Sequence, residues 1–191
     1  MQRARRFTIL FLKSLKFVLK VEFFEYCIFM YCNMCEKLMA DVKKYSRQDL
    51  MRIIAQQPPF MFLDGAEISE EAARGFYTIR GDEDFLKGHF PNNPVFPASI
   101  MLEALGQLAV AYLLEYDFLK DGNRPDKDRL FFTSADGVRC QRICRPGDRL
   151  DFEVKAKRVR FPLGMFEGRV TVGGESAAFV EKISLTFDIV R

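Results

Sequence analysis

The segment from Pro97 to Tyr116 predicts a helix that is apolar on nearly every face. A helix of that kind must be buried on most sides, so the rest of the chain has to wrap around it. Its polar residues before the last turn are Ser99, Glu103 and Gln107, which are spaced by four and therefore form one stripe. That stripe either faces a polar cavity or belongs to a hydrogen-bonded network within the core.

The sequence after this helix changes to a hydrophobic period of two. Apolar residues alternate with charged ones over Leu150–Ala156, which is typical of a half-buried strand, and turn residues follow at Pro162–Gly164 and Gly173–Gly174. We expect about four strands after the helix and two before it, Phe60–Ile68 and Glu70–Arg80. An antiparallel sheet wrapped around one long helix, an α+β fold, is the economical way to bury these faces.

The first 38 residues differ in composition from the rest of the chain. Residues 1–40 have a net charge of +4 against +3 for the whole chain, so the body is close to neutral and lacks a nucleic-acid-binding signature. Lysines interrupt the apolar run, which argues against a stable membrane span but leaves a basic amphipathic surface helix open. We expect residues 1–38 to be an extension outside the fold, produced by a start assigned upstream of Met39. Residues 39–191 then form one domain, whose first helix is capped at Ser46.

The five cysteines are an odd number without framework spacing, which favours reduced thiols in a cytoplasmic protein. Cys27, Cys32 and Cys35 have a spacing that suggests zinc, but a fourth ligand is missing nearby. We therefore predict no metal site.

The only histidine, His89, lies in a loop that Pro91, Pro94 and Pro97 stiffen, so its ring is held in place. Glu103 is a carboxyl on an otherwise apolar helix, and burial favours its protonated form, as a general acid requires. The two residues are a candidate acid–base pair. The alternatives are a packed histidine ring and a structural carboxyl that only accepts hydrogen bonds.

The start of the helix adds a third chemical element. The backbone amides of Ala98 and Ser99 lie in the first turn, where they have no partner within the helix, and the positive end of the helix dipole lies behind them. A carbonyl oxygen placed there is polarised. Base, acid and amide donors together suit the chemistry of a small carbonyl compound.

The motif H-F-P-x-x-P-V-x-P, followed by E-A-x-x-Q on the helix, resembles the (3R)-hydroxyacyl-acyl-carrier-protein dehydratases of bacterial fatty-acid synthesis. Three further segments resemble the same family in the same order: Pro59–Asp64, Phe132–Leu150 with its R-P-G-D-R-L ending, and Gly164–Gly174. The resemblance covers roughly residues 46 to 189.

The resemblance implies a hotdog fold and an obligate homodimer, or a trimer of such dimers, in which two sheets pair edge to edge. Each site then combines His89 of one subunit with Glu103 of the other. A sister branch with additional isomerase activity has Asp at the acid position, so Glu103 favours the plain dehydratase. No metal or organic cofactor is needed, and the implied partner is an acyl carrier protein bearing the substrate.

The implied reaction is loss of water from a 3-hydroxyacyl thioester to give the trans-2-enoyl thioester. His89 removes the proton beside the thioester carbonyl, Glu103 protonates the departing hydroxyl, and the Ala98 amide stabilises the enolate oxygen. The expected substrate-binding residues are Ala98, Ser99, Gln107, Phe90 and Phe96.

The chain departs from the family pattern at two places. Ala98 stands where the family usually has glycine, and Gln56–Pro59 replaces H-R-Y-P. These departures keep two rivals open, a hotdog acyl thioesterase and a non-catalytic acyl-binding protein, and they are compatible with a specialised acyl-chain pathway.

Four arginines cluster before and around the turn that precedes the half-buried strand: Arg139, Arg142, Arg145 and Arg149. They are either a solvated strand edge or a dock for the acidic acyl carrier protein.

Overall fold

The structure, a computed structural model, describes residues 42–190. The interpretations of residues 1–38 and of Cys27, Cys32 and Cys35 lie outside the described residues. The elements in chain order are β1 (Lys43–Ser46), α1 (Arg47–Ile53), β2 (Gly65–Ile68), β3 (Ala73–Thr78), a short 3-10 helix (Asp84–Lys87), α2 (Ala98–Glu115), β4 (Pro125–Cys140), β5 (Arg149–Arg160), β6 (Leu163–Val172) and β7 (Glu175–Ile189).

The strands form one antiparallel sheet of seven strands in the order β1-β2-β3-β5-β6-β7-β4. The long helix α2 packs against this sheet, so the predicted α+β hotdog fold is confirmed. Strand β4 lies at one edge of the sheet and pairs only with β7 among the described strands.

The core lies between α2 and the inner face of the sheet. Phe152, Val154 and Val170 are buried on that face, as the period-two pattern predicts. The helix approaches β6 so closely that a Cβ added at Gly168 would lie 2.9 Å from the Leu105 side chain. Helix α2 is long and apolar enough to cross a membrane by length and composition, but most of it is buried against the sheet. Its apolar character is therefore that of a core helix.

The chain before α2 differs from the prediction. Residues 42–97 contain three strands instead of two, because the short, mostly exposed β1 pairs with β2 and gives no hydrophobic signal. The predicted strand Phe60–Ile68 is a strand only over Gly65–Ile68. The capping box at Ser46 and Asp49 is confirmed. Pro97 is the N-cap of α2, and its carbonyl accepts the first hydrogen bonds of the helix.

Side chains hold most of the connection from Phe60 to Asp64, and the Asp64 amide continues the pairing with β3 by donating to the Phe76 carbonyl at 2.7 Å. Arg47 donates to the Leu63 carbonyl at 3.0 Å and to Asp64 at 2.9 Å, and Arg80 donates to the same carboxylate at 2.6 Å. Gln57 in turn donates to the Met51 carbonyl at 2.8 Å, near the end of α1. These contacts fix the connection that borders the polar stripe of α2.

Candidate active site

The His89 loop, residues 88–96, joins the 3-10 helix to α2 and holds its histidine through three hydrogen bonds. The His89 amide donates to the Phe85 carbonyl at 3.1 Å, and the Val95 amide donates to the His89 carbonyl at 2.8 Å. The imidazole Nδ1 lies 2.8 Å from the Val95 carbonyl oxygen. Backbone and ring are thus both fixed, as the stiff proline-containing loop predicts.

The contact with Val95 sets the tautomer of His89. A carbonyl oxygen only accepts hydrogen bonds, so Nδ1 carries the proton and donates it to Val95. The neutral ring then has its lone pair on Nε2. The ring stacks on Phe90 with centroids 4.4 Å apart. The arrangement suits a general base that acts through Nε2.

A cluster of aromatic side chains packs against Phe96, at the end of the His89 loop. Phe96 is buried and packs against Phe62, Phe85 and Tyr77. The Tyr77 hydroxyl donates to Glu83 at 2.8 Å, and burial together with this hydrogen bond raises the pKa of Tyr77 far above its usual value. Tyr77 therefore stays a neutral donor across the working pH range. Phe96 faces this cluster and Phe90 is exposed, so the two predicted substrate-binding aromatics lie in different surroundings.

Glu103 is held by Gln107, one turn further along α2. The Gln107 oxygen accepts from the Phe62 amide at 2.9 Å, so its nitrogen donates to the Phe60 carbonyl at 3.0 Å and to Glu103 Oε1 at 2.9 Å. Because Glu103 Oε1 accepts, the proton of the neutral acid belongs on Oε2. The polar stripe is therefore a satisfied hydrogen-bond network at Gln107, which is buried. Its residues become more accessible towards the start of the helix: Glu103 is partly buried and Ser99 is exposed.

Gln107→Leu is expected to lower the free energy of unfolding by about 2 kcal/mol or more, because a buried amide and a carbonyl lose their partners. The same change frees Glu103 Oε1 and is expected to lower activity. Urea denaturation of the variant and of Gln48→Leu, an exposed control, measures the difference. Equal stability of the two variants would show that the amide network is not structural.

The first amides of α2 are placed as predicted. Ile100 and Met101 donate to the Pro97 carbonyl at 3.0 and 3.2 Å, so the amides of Ala98 and Ser99 precede the first helical hydrogen bonds. Among the described residues other than glycine, only Asn92 and Lys120 have a positive φ. Ala98 therefore adopts its backbone conformation without the strain that makes glycine necessary, and its methyl group is compatible with the helix start.

The four predicted docking arginines do not form one free patch. Arg139 pairs with Glu181 at 3.0 Å and Arg142 pairs with Glu175. Arg149 pairs with Asp151 at 2.9 Å and lies 4.0 Å over the ring of Phe76. Arg145 points to the His89 loop, where it contacts Asn93 and Pro94.

The structure does not join the two predicted catalytic residues within one chain: among residues 42–190, no hydrogen bond links His89 with Glu103.

Edge strand β4 exposes large apolar side chains, including Phe131 at 62% and Val138 at 44%. Phe132 on the same strand packs over Gly106 of α2.

The part of the chain that the structure describes has no group of three or more His, Cys, Asp or Glu side chains that could hold a metal.

Comparison with known proteins identifies the family of this chain. A family model described as the FabA-like domain matches residues 55–181, which include both His89 and Glu103. The chain belongs to the FabA-like family. Its relatives include the 3-hydroxyacyl-[acyl-carrier-protein] dehydratase FabZ of Thermomicrobium roseum, 38% identical over 68% of this chain and 84% of the relative. FabZ of Bacillus subtilis is 36% identical over 73% and 94% of the two chains. The resemblance stated from the motifs is confirmed.

Solved structures agree with this FabA-like assignment at the level of the fold. The dehydratase heterocomplex ApeI:P from Xenorhabdus doucetiae has a TM-score of 0.61 at 16% identity, covering 73% of this chain and 90% of that one. An uncharacterized protein from Pyrococcus horikoshii has a TM-score of 0.52 at 13% identity and covers 70% and 89%. At these identities the likeness concerns the fold alone.

Sequence reasoning missed the backbone partners of this FabA-like site. The Val95 carbonyl that orients His89, and the Phe60 and Phe62 groups that hold Gln107, are main-chain atoms. Main-chain atoms have no residue-type signature. The spacing by four of Glu103 and Gln107 was the usable signal, and it placed them in one stripe of the helix without specifying their hydrogen bond.

Proposed function

We propose that this protein is a 3-hydroxyacyl-acyl-carrier-protein dehydratase of fatty-acid or specialised acyl-chain synthesis, in which His89 and Glu103 do the chemistry. The hydrogen bond from His89 Nδ1 to the Val95 carbonyl carries the proposal, because it leaves Nε2 as a free base. The names of the FabZ relatives supply the substrate class, a 3-hydroxyacyl group on an acyl carrier protein.

The first part of the reaction is removal of a proton from the carbon beside the thioester carbonyl. His89 Nε2 takes this proton, and the Nδ1 hydrogen bond to Val95 stabilises the imidazolium that forms. The electron pair moves toward the thioester oxygen. The amide of Ala98 at the start of α2 donates to that oxygen, where the positive end of the helix dipole adds to the stabilisation.

The second part is departure of the hydroxyl group as water. Glu103 Oε2 delivers its proton to this hydroxyl while Oε1 stays bonded to Gln107. The carbon–oxygen bond breaks, the double bond forms, and the proton held by His89 returns to Glu103 through solvent before the next turnover. The products are the trans-2-enoyl thioester and water, so atoms and charge balance without a cofactor.

The active unit is a homodimer in the cytoplasm, alone or within a trimer of dimers. An edge strand with unpaired backbone groups and exposed phenylalanine can pair with the same strand of a second copy of the chain, which buries both. Strand β4 is that edge, and its Phe132 already packs on α2. Pairing two β4 strands brings His89 of one subunit toward Glu103 of the other.

Incubation of the full chain with a (3R)-3-hydroxyacyl thioester tests this function. The expected product has lost one water, as mass spectrometry of the acyl group shows, and carries a trans double bond. Return of the substrate unchanged, or release of a free 3-hydroxy acid, contradicts the proposal.

The acyl carrier protein is the proposed partner. Its docking is tested at Arg149, which does not contact the His89 loop. Arg149 is exposed, with its side chain 58% accessible, and it lies on β5 instead of the β4 edge that forms the proposed dimer contact. In Arg149→Glu, we expect KM for carrier-bound substrate to rise about tenfold at low salt, because opposite charge speeds encounter. KM for a small thioester stays constant.

The control for docking is Lys155→Glu, which makes the same charge reversal on the exposed face of β5. It is expected to leave both KM values in place. Docking through Arg149 is refuted if the Arg149→Glu variant changes KM for both substrates equally.

A further inference from the structure

The His89 loop is a small folded unit closed by its own hydrogen bonds. At its tip, the backbones of Phe90 and Asn93 exchange hydrogen bonds at 3.4 and 3.0 Å. Between them Asn92 has a φ of 62°, a turn conformation that asparagine tolerates better than most residues. The histidine comes directly before this turn, and Val95, whose carbonyl contacts the ring, follows two residues after Asn93.

The tip itself is exposed, and one side chain ties it to the rest of the protein. Arg145 Nη1 donates to Asn93 Oδ1 at 2.6 Å and to the Pro94 carbonyl at 3.3 Å. Within the described part of the chain, no other side chain outside the loop forms a hydrogen bond with residues 90–95. A backbone hydrogen bond lies nearby: the Phe96 amide donates to the carbonyl of Cys144, the residue before Arg145, at 2.8 Å.

The backbone of Arg145 is fixed by the turn Arg145–Asp148, and its exposed side chain extends from there to the loop. Its amide donates to Asp148 Oδ2 at 2.8 Å, and the Asp148 amide donates back to the Arg145 carbonyl at 3.0 Å. Gly147 has a φ of 92°, which the turn requires, and its amide donates to the Ile79 carbonyl at 2.8 Å. The Ile79 amide donates to the Asp148 carbonyl at 3.0 Å, so the turn is joined to the end of β3.

We infer that Arg145 is a positioning residue for His89, acting through Asn93 and Pro94 on the Val95 carbonyl that orients the ring. The kinetic part of this inference rests on the proposed function. One nitrogen of the guanidinium, Nη1, donates to two acceptors on consecutive residues just before Val95, so this single group links the loop to the Arg145 side chain. A displacement of about 1 Å at a reacting group can cost up to about a hundredfold in rate.

Arg145→Gln is expected to lower kcat for a small 2-enoyl thioester about tenfold, with KM within about twofold, because positioning acts on the reacting group. Arg145→Lys retains part of the activity, since one donor still reaches the loop. Arg52→Gln, an exposed arginine of α1 paired with Asp49, serves as the matched control and keeps kcat. An unchanged kcat in Arg145→Gln overturns the inference.

The single histidine of the chain allows a readout that does not depend on turnover. The Nδ1 proton of His89, protected by its hydrogen bond to Val95, gives one imidazole signal in the NMR spectrum of the full chain. We expect this signal to broaden by exchange with water in Arg145→Gln and to stay sharp in Arg52→Gln. A sharp signal in both variants contradicts positioning by Arg145.

Asn93→Ala removes one acceptor of Arg145 and completes a double-mutant cycle. The effects of Arg145→Gln and Asn93→Ala on kcat are expected to be less than additive, whereas fully additive effects refute the coupling. If the wild-type chain acts on no thioester, the proposed function fails, and the imidazole signal alone decides the placement of His89 by Arg145.

Discussion

His89→Ala is expected to lower kcat/KM for 2-enoyl thioester hydration about a thousandfold, the usual range for loss of a positioned general base. The ring is the only imidazole in the chain, so no other histidine can take its place. Its Nδ1 bond to the Val95 carbonyl leaves Nε2 as the proton acceptor, and alanine removes both functions. Steady-state kinetics on purified full-length protein measure the loss.

A second substitution separates base catalysis from loop support. Asparagine at position 89 can still donate a hydrogen bond toward Val95, but it has no basic nitrogen. His89→Asn is therefore expected to keep the thermal stability of the wild type and to be as inactive as His89→Ala. Activity restored by asparagine would mean that His89 supports the loop without acting as the base.

Glu103→Gln is expected to cause a loss of similar size, about a thousandfold, because an amide has no acidic proton to deliver. The amide oxygen still accepts from Gln107, so the network with Phe60 and Phe62 remains intact. Each variant alone is therefore inactive but folded. This pair of variants tests whether each site is shared between two subunits.

Heterodimers of one His89→Ala chain and one Glu103→Gln chain are expected to regain about half of the wild-type kcat, because one of two sites contains both intact residues. The two chains are co-expressed with different affinity tags and purified through both. Heterodimers of His89→Ala with wild type are the control, and they show the same activity. Absence of recovery places His89 and Glu103 of each site in one chain.

The parts of the fold that burial dictates could be read from the sequence. Helix α2 has apolar residues on nearly every face, so it must be buried on most sides. Strand β5 alternates apolar with charged residues, so it places one face on the core and the other in solvent. Strand β1 could not be read in this way because three of its four residues are exposed. The length of β2 was overestimated because Phe60 and Phe62 satisfy their backbone groups through the Gln107 side chain instead of a strand.

The candidate site was predictable to the extent that side chains define it. His89 and Glu103 stand out because one is a unique histidine beside prolines and the other is a carboxyl on an apolar helix. The role of Arg145 was hidden, because its neighbours in sequence, Arg142 and Arg149, suggest a charged patch. Only the turn that ends at Asp148 directs its guanidinium to the His89 loop.

The most direct test of dehydratase chemistry is to supply the full chain with a trans-2-enoyl thioester and to follow two signals together. One is the absorbance of the conjugated enoyl group, and the other is free thiol detected with a chromogenic reagent. We expect the enoyl absorbance to fall as water adds across the double bond, without thiol release. Thiol release would identify a thioesterase, and acyl binding with neither signal would identify a non-catalytic binding protein; either result contradicts dehydratase chemistry.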